Sequence, residues 1–127
     1  MMSKWLIVED DFNAADALAQ TLVRAGCDVG IAHNAEDALS VMDSAFEGAI
    51  VDLHLPDISG DDLLIMLRKR FSGKILGIVT GEEPERIEQV AEKCNADFWM
   101  SKPIDTQALL TEISNKLEVT RCCAEMT

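Results

Sequence analysis

The chain has 127 residues, 48% of them hydrophobic, and its 23 acidic and 11 basic side chains give a formal net charge of −12. That length is about one domain, with enough apolar material to build a core without disulfides or structural metals. The charge argues against nucleic acid and anionic membranes as direct partners, since both are polyanions, and favours a cation or a basic protein face.

The longest apolar runs are four or five residues, far short of the roughly 18 that a transmembrane helix requires. Near Met1 the apolar stretch Trp5–Val8 is brief and runs straight into acid, unlike a secretory signal. The reading is a cytoplasmic protein with no membrane insertion. Cys27, Cys94, Cys122 and Cys123 lack metal-ligand spacing, so reduced thiols are expected, the adjacent Cys122 and Cys123 in a loose tail. One domain is expected over residues 1–119, followed by a polar tail over 120–127.

Five short apolar runs begin 20 to 26 residues apart: Trp5–Val8, Val29–Ala32, Ala49–Val51, Ile75–Val79 and Phe98–Met100. None alternates apolar with polar, which predicts parallel strands buried on both faces. Helical spacing fills the gaps. Ala15, Leu18, Leu22 and Ala25 mark the first helix, which Gly26 stops. Ala35, Ala38, Leu39 and Met42 mark the second, and Leu63, Met66 and Leu67 the third. The fourth carries Ile87, Val90, Ala91 and Cys94 and opens on Pro84, and the fifth carries Leu109, Ile113 and Leu117. Asp11 or Asn13 is expected to cap the first helix, and Asp61 or Asp62 the third. The pattern is (βα)5, an α/β domain with right-handed crossovers and helices on both faces.

In such a sheet, ligands bind beyond the carboxyl ends of the strands, where strand order reverses. Glu9-Asp10-Asp11 follow the first run, Asp52 to Asp57 the third, Thr80-Gly81-Glu82-Glu83 the fourth, and Ser101-Lys102-Pro103 the fifth. Taken singly, each acid is as readily a cap or a solvated charge. Asp52 is harder to place so, because it interrupts the apolar run Ala49–Leu53 and an unpaired buried carboxylate is costly. Clustered carboxylates need a counter-charge, and a hard divalent cation with oxygen ligands supplies one. A lysine and a hydroxyl remain to hold a phosphoryl group, and an aspartate can itself be the nucleophile. The chemistry indicated is metal-assisted phosphoryl transfer to a carboxylate.

From about Lys4 to Leu117 the chain resembles the receiver domain of two-component response regulators. The resemblance rests on Ile7-Val8-Glu9-Asp10-Asp11, Val51-Asp52-Leu53-His54-Leu55-Pro56-Asp57, Val79-Thr80-Gly81 and Ser101-Lys102-Pro103. It implies a doubly wound, five-stranded parallel sheet in order 2-1-3-4-5, the flavodoxin-like receiver fold. It also implies that Asp52 accepts a phosphoryl group from phosphohistidine on a sensor histidine kinase or histidine phosphotransfer protein. Glu9, Asp10 and Asp52, with the His54 backbone carbonyl, would hold Mg2+ (or Mn2+ in its place), Asp10 more directly than Glu9. Lys102, before a cis bond to Pro103, would pair with the phosphoryl oxygens. Thr80 and the aromatic Trp99 would switch together, and the side chains of His54 and Glu82 would tune phosphoryl lifetime.

Trp99 is bulkier than the usual tyrosine or phenylalanine, and Ile104 replaces a frequent phenylalanine. The output implied is a protein-binding surface on the fourth helix, fifth strand and fifth helix, facing a downstream protein target. A homodimer through the fourth-helix to fifth-helix face is a further implication. Such a module is not a turnover enzyme; it catalyses only its own phosphorylation and dephosphorylation.

Three other readings fit less well. An aspartyl phosphatase needs a general acid where His54 stands and a substrate cap for which the chain lacks room. A flavodoxin-like cofactor binder needs a small, glycine-rich first loop, whereas Glu9-Asp10-Asp11 repel phosphate. A degenerate scaffold would not keep Glu9, Asp10, Asp52, Thr80 and Lys102 together.

Overall fold

A computed structural model describes residues 3–125, with side-chain surroundings through residue 117. Its elements alternate strictly: β1 (Lys4–Val8), α1 (Phe12–Arg24), β2 (Asp28–Ala32), α2 (Ala35–Val41), β3 (Gly48–Val51), α3 (Gly60–Arg70), β4 (Ile75–Thr80), α4 (Pro84–Cys94), β5 (Phe98–Ser101) and α5 (Thr106–Glu125). The strands form one parallel sheet in the order β2-β1-β3-β4-β5, as expected. The chain moves outward from β1 to β2, then returns to the other side of β1 for β3. That reversal opens a crevice beyond the carboxyl ends of β1 and β3.

Side chains alternate across the strands and divide the core in two. Trp5 and Ile7 of β1, Ile50 of β3 and Val79 of β4 pack under α1 and α5, against Leu18, Leu22, Leu109 and Ile113. Leu6, Val8, Val51, Leu76 and Ile78 face the other way, against Leu63 and Leu67 of α3 and Ile87 and Val90 of α4. Strands β3 and β4 are buried throughout and β1 nearly so. The expectation of two buried faces fails for β2 and β5: Ile31 is 38% exposed, and most of β5 is half-buried. Both are edge strands, with a neighbour on one side only.

Helix ends follow local chemistry. Asp11 caps α1 by accepting from the Ala14 N–H at 3.0 Å, and Asn34 caps α2 in the same way. The cap of α3 is Ser59, not Asp61 or Asp62. Asp61 is instead buried and bound to Arg86 of α4 at 3.1 Å. Gly26 stops α1 at φ +93°, but Ala25 is exposed because the helix has already ended at Arg24. Helix α5 runs on through residue 125, past the position where a tail is expected. Nothing between Pro103 and Thr127 is glycine or proline, so no residue there forces an end. The side chains of Cys122 and Cys123 lie outside the described residues.

Candidate functional site

Four strand ends deliver the residues singled out from the sequence to one crevice. Strand β1 stops at Val8, so Glu9 and Asp10 emerge at the switch point; Glu9 turns inward and is 4% exposed, while Asp10 faces solvent. Strand β3 stops at Val51, and the Asp52 N–H donates to the Val8 carbonyl at 2.9 Å, which draws the two ends together. Thr80 is the last residue of β4, and the Lys102 N–H donates to its carbonyl at 2.8 Å. The Lys102–Pro103 peptide is cis, as expected.

Asp52 is 6% exposed and fully engaged. Its Oδ1 accepts from the Thr80 hydroxyl at 2.8 Å and from the His54 N–H at 3.0 Å, and its Oδ2 accepts from Lys102 Nζ at 2.8 Å. Lys102 Nζ also donates to Glu9 Oε1. One ammonium thus bridges two buried carboxylates. Burial alone would raise the Asp52 pKa, but these donors outweigh it and hold the carboxyl below its ordinary value. Burial likewise penalises the charged Lys102, yet its bonds to Asp52 and Glu9 prevail and raise its pKa.

Glu9 goes the other way, to about 7, chiefly through burial and then through its proximity to Asp52, with Lys102 opposing. A carboxyl raised in the folded state above its unfolded value of 4.5 contributes stability that is complete below that value and is lost as pH rises toward 7. The metal-free protein is therefore expected to melt higher at pH 5.5 than at pH 7.5, and Glu9→Gln should flatten that slope. Equal melting points in the wild type would contradict the assignment.

The residues fit a cation. Glu9, Asp10 and Asp52 each offer an oxygen, all within 4.8 Å of one another. Glu9 Oε2 is buried and has no hydrogen-bond partner, an acceptor that calls for a ligand. A cavity of about 20 Å3 reaches Glu9, Asp52 and Lys102 from the core side, but its wall is mostly apolar, Leu18, Ile50 and Val79 included, and Asp10 does not line it.

The remaining residues lie around this centre. Thr80 is wholly buried and already directed at Asp52. The His54 ring is 63% exposed and bonds Glu82 through Nε2 at 3.0 Å, so the two side chains hold each other rather than Asp52. Trp99 is half-buried against the core under α3 and α4.

Two supports went unseen in the sequence. His33 bonds the Glu9 carbonyl through Nδ1 at 2.9 Å, steadying the acidic loop. The Asp57 carboxylate accepts from the N–H groups of Ala35 and Glu36 at 3.0 and 2.9 Å, adding a second cap to α2. Those bonds hold its pKa below the ordinary value. A histidine or aspartate with a partner more than 20 residues away gives no local signal.

A sequence model of the response regulator receiver domain matches residues 5–114. The chain belongs to that family. The crystal structure of a response regulator receiver domain protein (CheY-like) from Methanospirillum hungatei JF-1 superposes with a TM-score of 0.88 at 30% identity, covering 95% of this chain and 98% of the other. Sensory transduction protein RegX3 of Mycobacterium tuberculosis (strain ATCC 25618 / H37Rv) is 33% identical over 113 residues, 88% of this chain and 49% of that protein. Transcriptional regulatory protein CpxR of Escherichia coli K12 is 28% identical over a stretch of the same length, 48% of its own chain. The chain spans about half the length of these curated relatives. Receiver domains are signalling modules of two-component systems; in them phosphorylation and Mg2+ binding are general, and they interact with histidine kinases and downstream effectors. No described helix of this receiver is long and apolar enough to cross a membrane.

Proposed function

We propose that this receiver takes a phosphoryl group onto Asp52 from the phosphohistidine of a sensor histidine kinase or histidine phosphotransfer protein. The observation that carries the reading is a buried carboxylate kept ionised by three donors at the switch point of the sheet, beside an unsatisfied acidic oxygen. An Asp52 oxygen forms the new P–O bond as the P–N bond to the donor breaks, and the electron pair stays on the imidazole nitrogen. Lys102 gives its ammonium to the phosphoryl oxygens. Glu9, Asp10 and Asp52, with the His54 carbonyl, would hold Mg2+ or Mn2+, which when bound neutralises the converging negative charge. The acyl phosphate is its own product, so the module is no turnover enzyme, and the His54–Glu82 pair beside the site tunes its lifetime.

Switching follows from the hydroxyl of Thr80. Its bond to Asp52 is exchanged for one to a phosphoryl oxygen, and the arrangement of α4 and β5 that makes the new bond better gains population. Trp99 repacks with it. The surface of α4, β5 and α5 then engages a downstream protein, or a second copy through the α4–α5 face, in the cytoplasm. The domain occupies residues 1–119, and 120–127 extend from it.

Adding the phosphoryl mimic beryllofluoride with Mg2+ should shift the amide resonances of residues 82–94 and of Trp99. In Asp52→Asn those resonances should stay where they are. An unchanged α4–β5 surface in the wild type would overturn the switch.

A further inference from the structure

Between α4 and the edge strand β5 lies an open groove of about 410 Å3, lined by Glu88, Ala91, Glu92, Asp97 and Trp99 among others. We propose that it docks a lysine- or arginine-rich segment of a partner protein, with Glu88 and Glu92 pairing its cations and Trp99 holding one against its ring. That this partner is the downstream target rests on the switch reading above.

The charge layout of α4 is the first support. At about 100° per residue, Glu85, Glu88 and Glu92 fall within about 60° of arc, while Arg86 and Lys93 lie on the far side of the helix. Arg86 is committed to Asp61 on α3. Glu88 and Glu92 are exposed and have no ion pair among the described residues. Asp97 also borders the groove, but its charge is already paired with Arg68, which shares Oδ2 with the Leu76 N–H. The free acidity is thus that of α4.

Trp99 is the second and independent support. Trp5 is wholly buried, whereas Trp99 is only half-buried and forms part of the groove wall. A large ring at the edge of a cleft offers an anchoring surface, and a guanidinium or ammonium over its face gains cation–π attraction. Carboxylates a helical turn apart beside an indole complement a basic, extended or helical segment. They do not complement the same groove of a second copy, where like charges would meet.

The test titrates 15N-labelled protein with a synthetic nonapeptide of alternating arginine and alanine. It is run with and without beryllofluoride and Mg2+, following backbone amides. Shifts concentrated at residues 85–99 are expected. Glu88→Gln/Glu92→Gln should weaken binding roughly fivefold, and Trp99→Leu should weaken it with all charges retained. Glu36→Gln/Asp43→Asn removes the same charge at exposed positions elsewhere and should leave affinity unchanged. Equal weakening by that control, or shifts spread over the whole acidic surface, would reduce the binding to net charge and overturn the proposal. Beryllofluoride shifts on α4 and β5 without peptide at the groove would overturn it too, leaving the switch intact. Groove binding that is indifferent to beryllofluoride would uphold the docking site and overturn its link to the switch.

Discussion

Lys102→Ala is expected to destabilise the metal-free protein by about 2 kcal/mol at neutral pH, because it strips two buried carboxyl groups of their shared cation and forces Glu9 to take up a proton beside Asp52. Lys102 is the cation bound to both Glu9 and Asp52. Its side chain is 30% exposed, so solvent screens part of the loss and the effect stays below that of a fully buried pair. The same substitution should slow phosphoryl acceptance on the order of tenfold or more, since the ammonium is the donor aimed where charge accumulates. It should also blunt the response of the α4–β5 surface. Denaturant melts with and without Mg2+ check the first effect, and Mg2+ should restore more stability to the variant than to the wild type. A variant that melts like wild type without metal would show that the bridge is not structural.

Gly60→Ala carries the second large effect, and its sign runs against helix propensity. Gly60 opens α3, and its N–H donates to the Leu53 carbonyl at 3.0 Å. A Cβ there would lie 2.5 Å from Leu53 Cα and 2.6 Å from the Asp52 carbonyl oxygen. Both are backbone atoms, so either α3 or the segment carrying Asp52 must move. At an unconstrained helical position, alanine would gain up to about 1 kcal/mol over glycine. Here overpacking should instead cost about 1–3 kcal/mol and pull Asp52 away from Thr80 and Lys102, with phosphoryl acceptance falling alongside. Equal stability and equal labelling would show that the close approach is dispensable.

Much of this was legible along the chain because strand ends are local events. Each apolar run stops at or within a residue or two of its strand's end, and in a parallel sheet the residues that follow must share one edge. Glu9, Asp52, Thr80 and Lys102 were therefore readable as one site before any contact was known. Pairings across long separations were not readable. Asp61 has the composition of a helix cap, and only the packing of α3 on α4 brings it to Arg86. Gly60 looks like an ordinary loop glycine until Asp52 and Leu53 are seen lying against it. Strands β2 and β5 carry apolar residues much like the central ones, and sequence does not say which strands lack an outer neighbour. Trp99 was singled out by position as the expected aromatic partner of Thr80, but its half-buried place in the wall of an acidic groove came from the packing of β5 beside α4.

The measurement that tests the central claim most directly is intact-mass spectrometry after incubation with Mg2+ and a small acyl phosphate, with Asp52→Asn alongside. A gain of one phosphoryl mass that requires both Mg2+ and Asp52 is the predicted result. Labelling of Asp52→Asn equal to the wild type, or labelling undiminished without a divalent cation, would contradict the assignment of this carboxylate as the phosphoacceptor in a metal-assisted site.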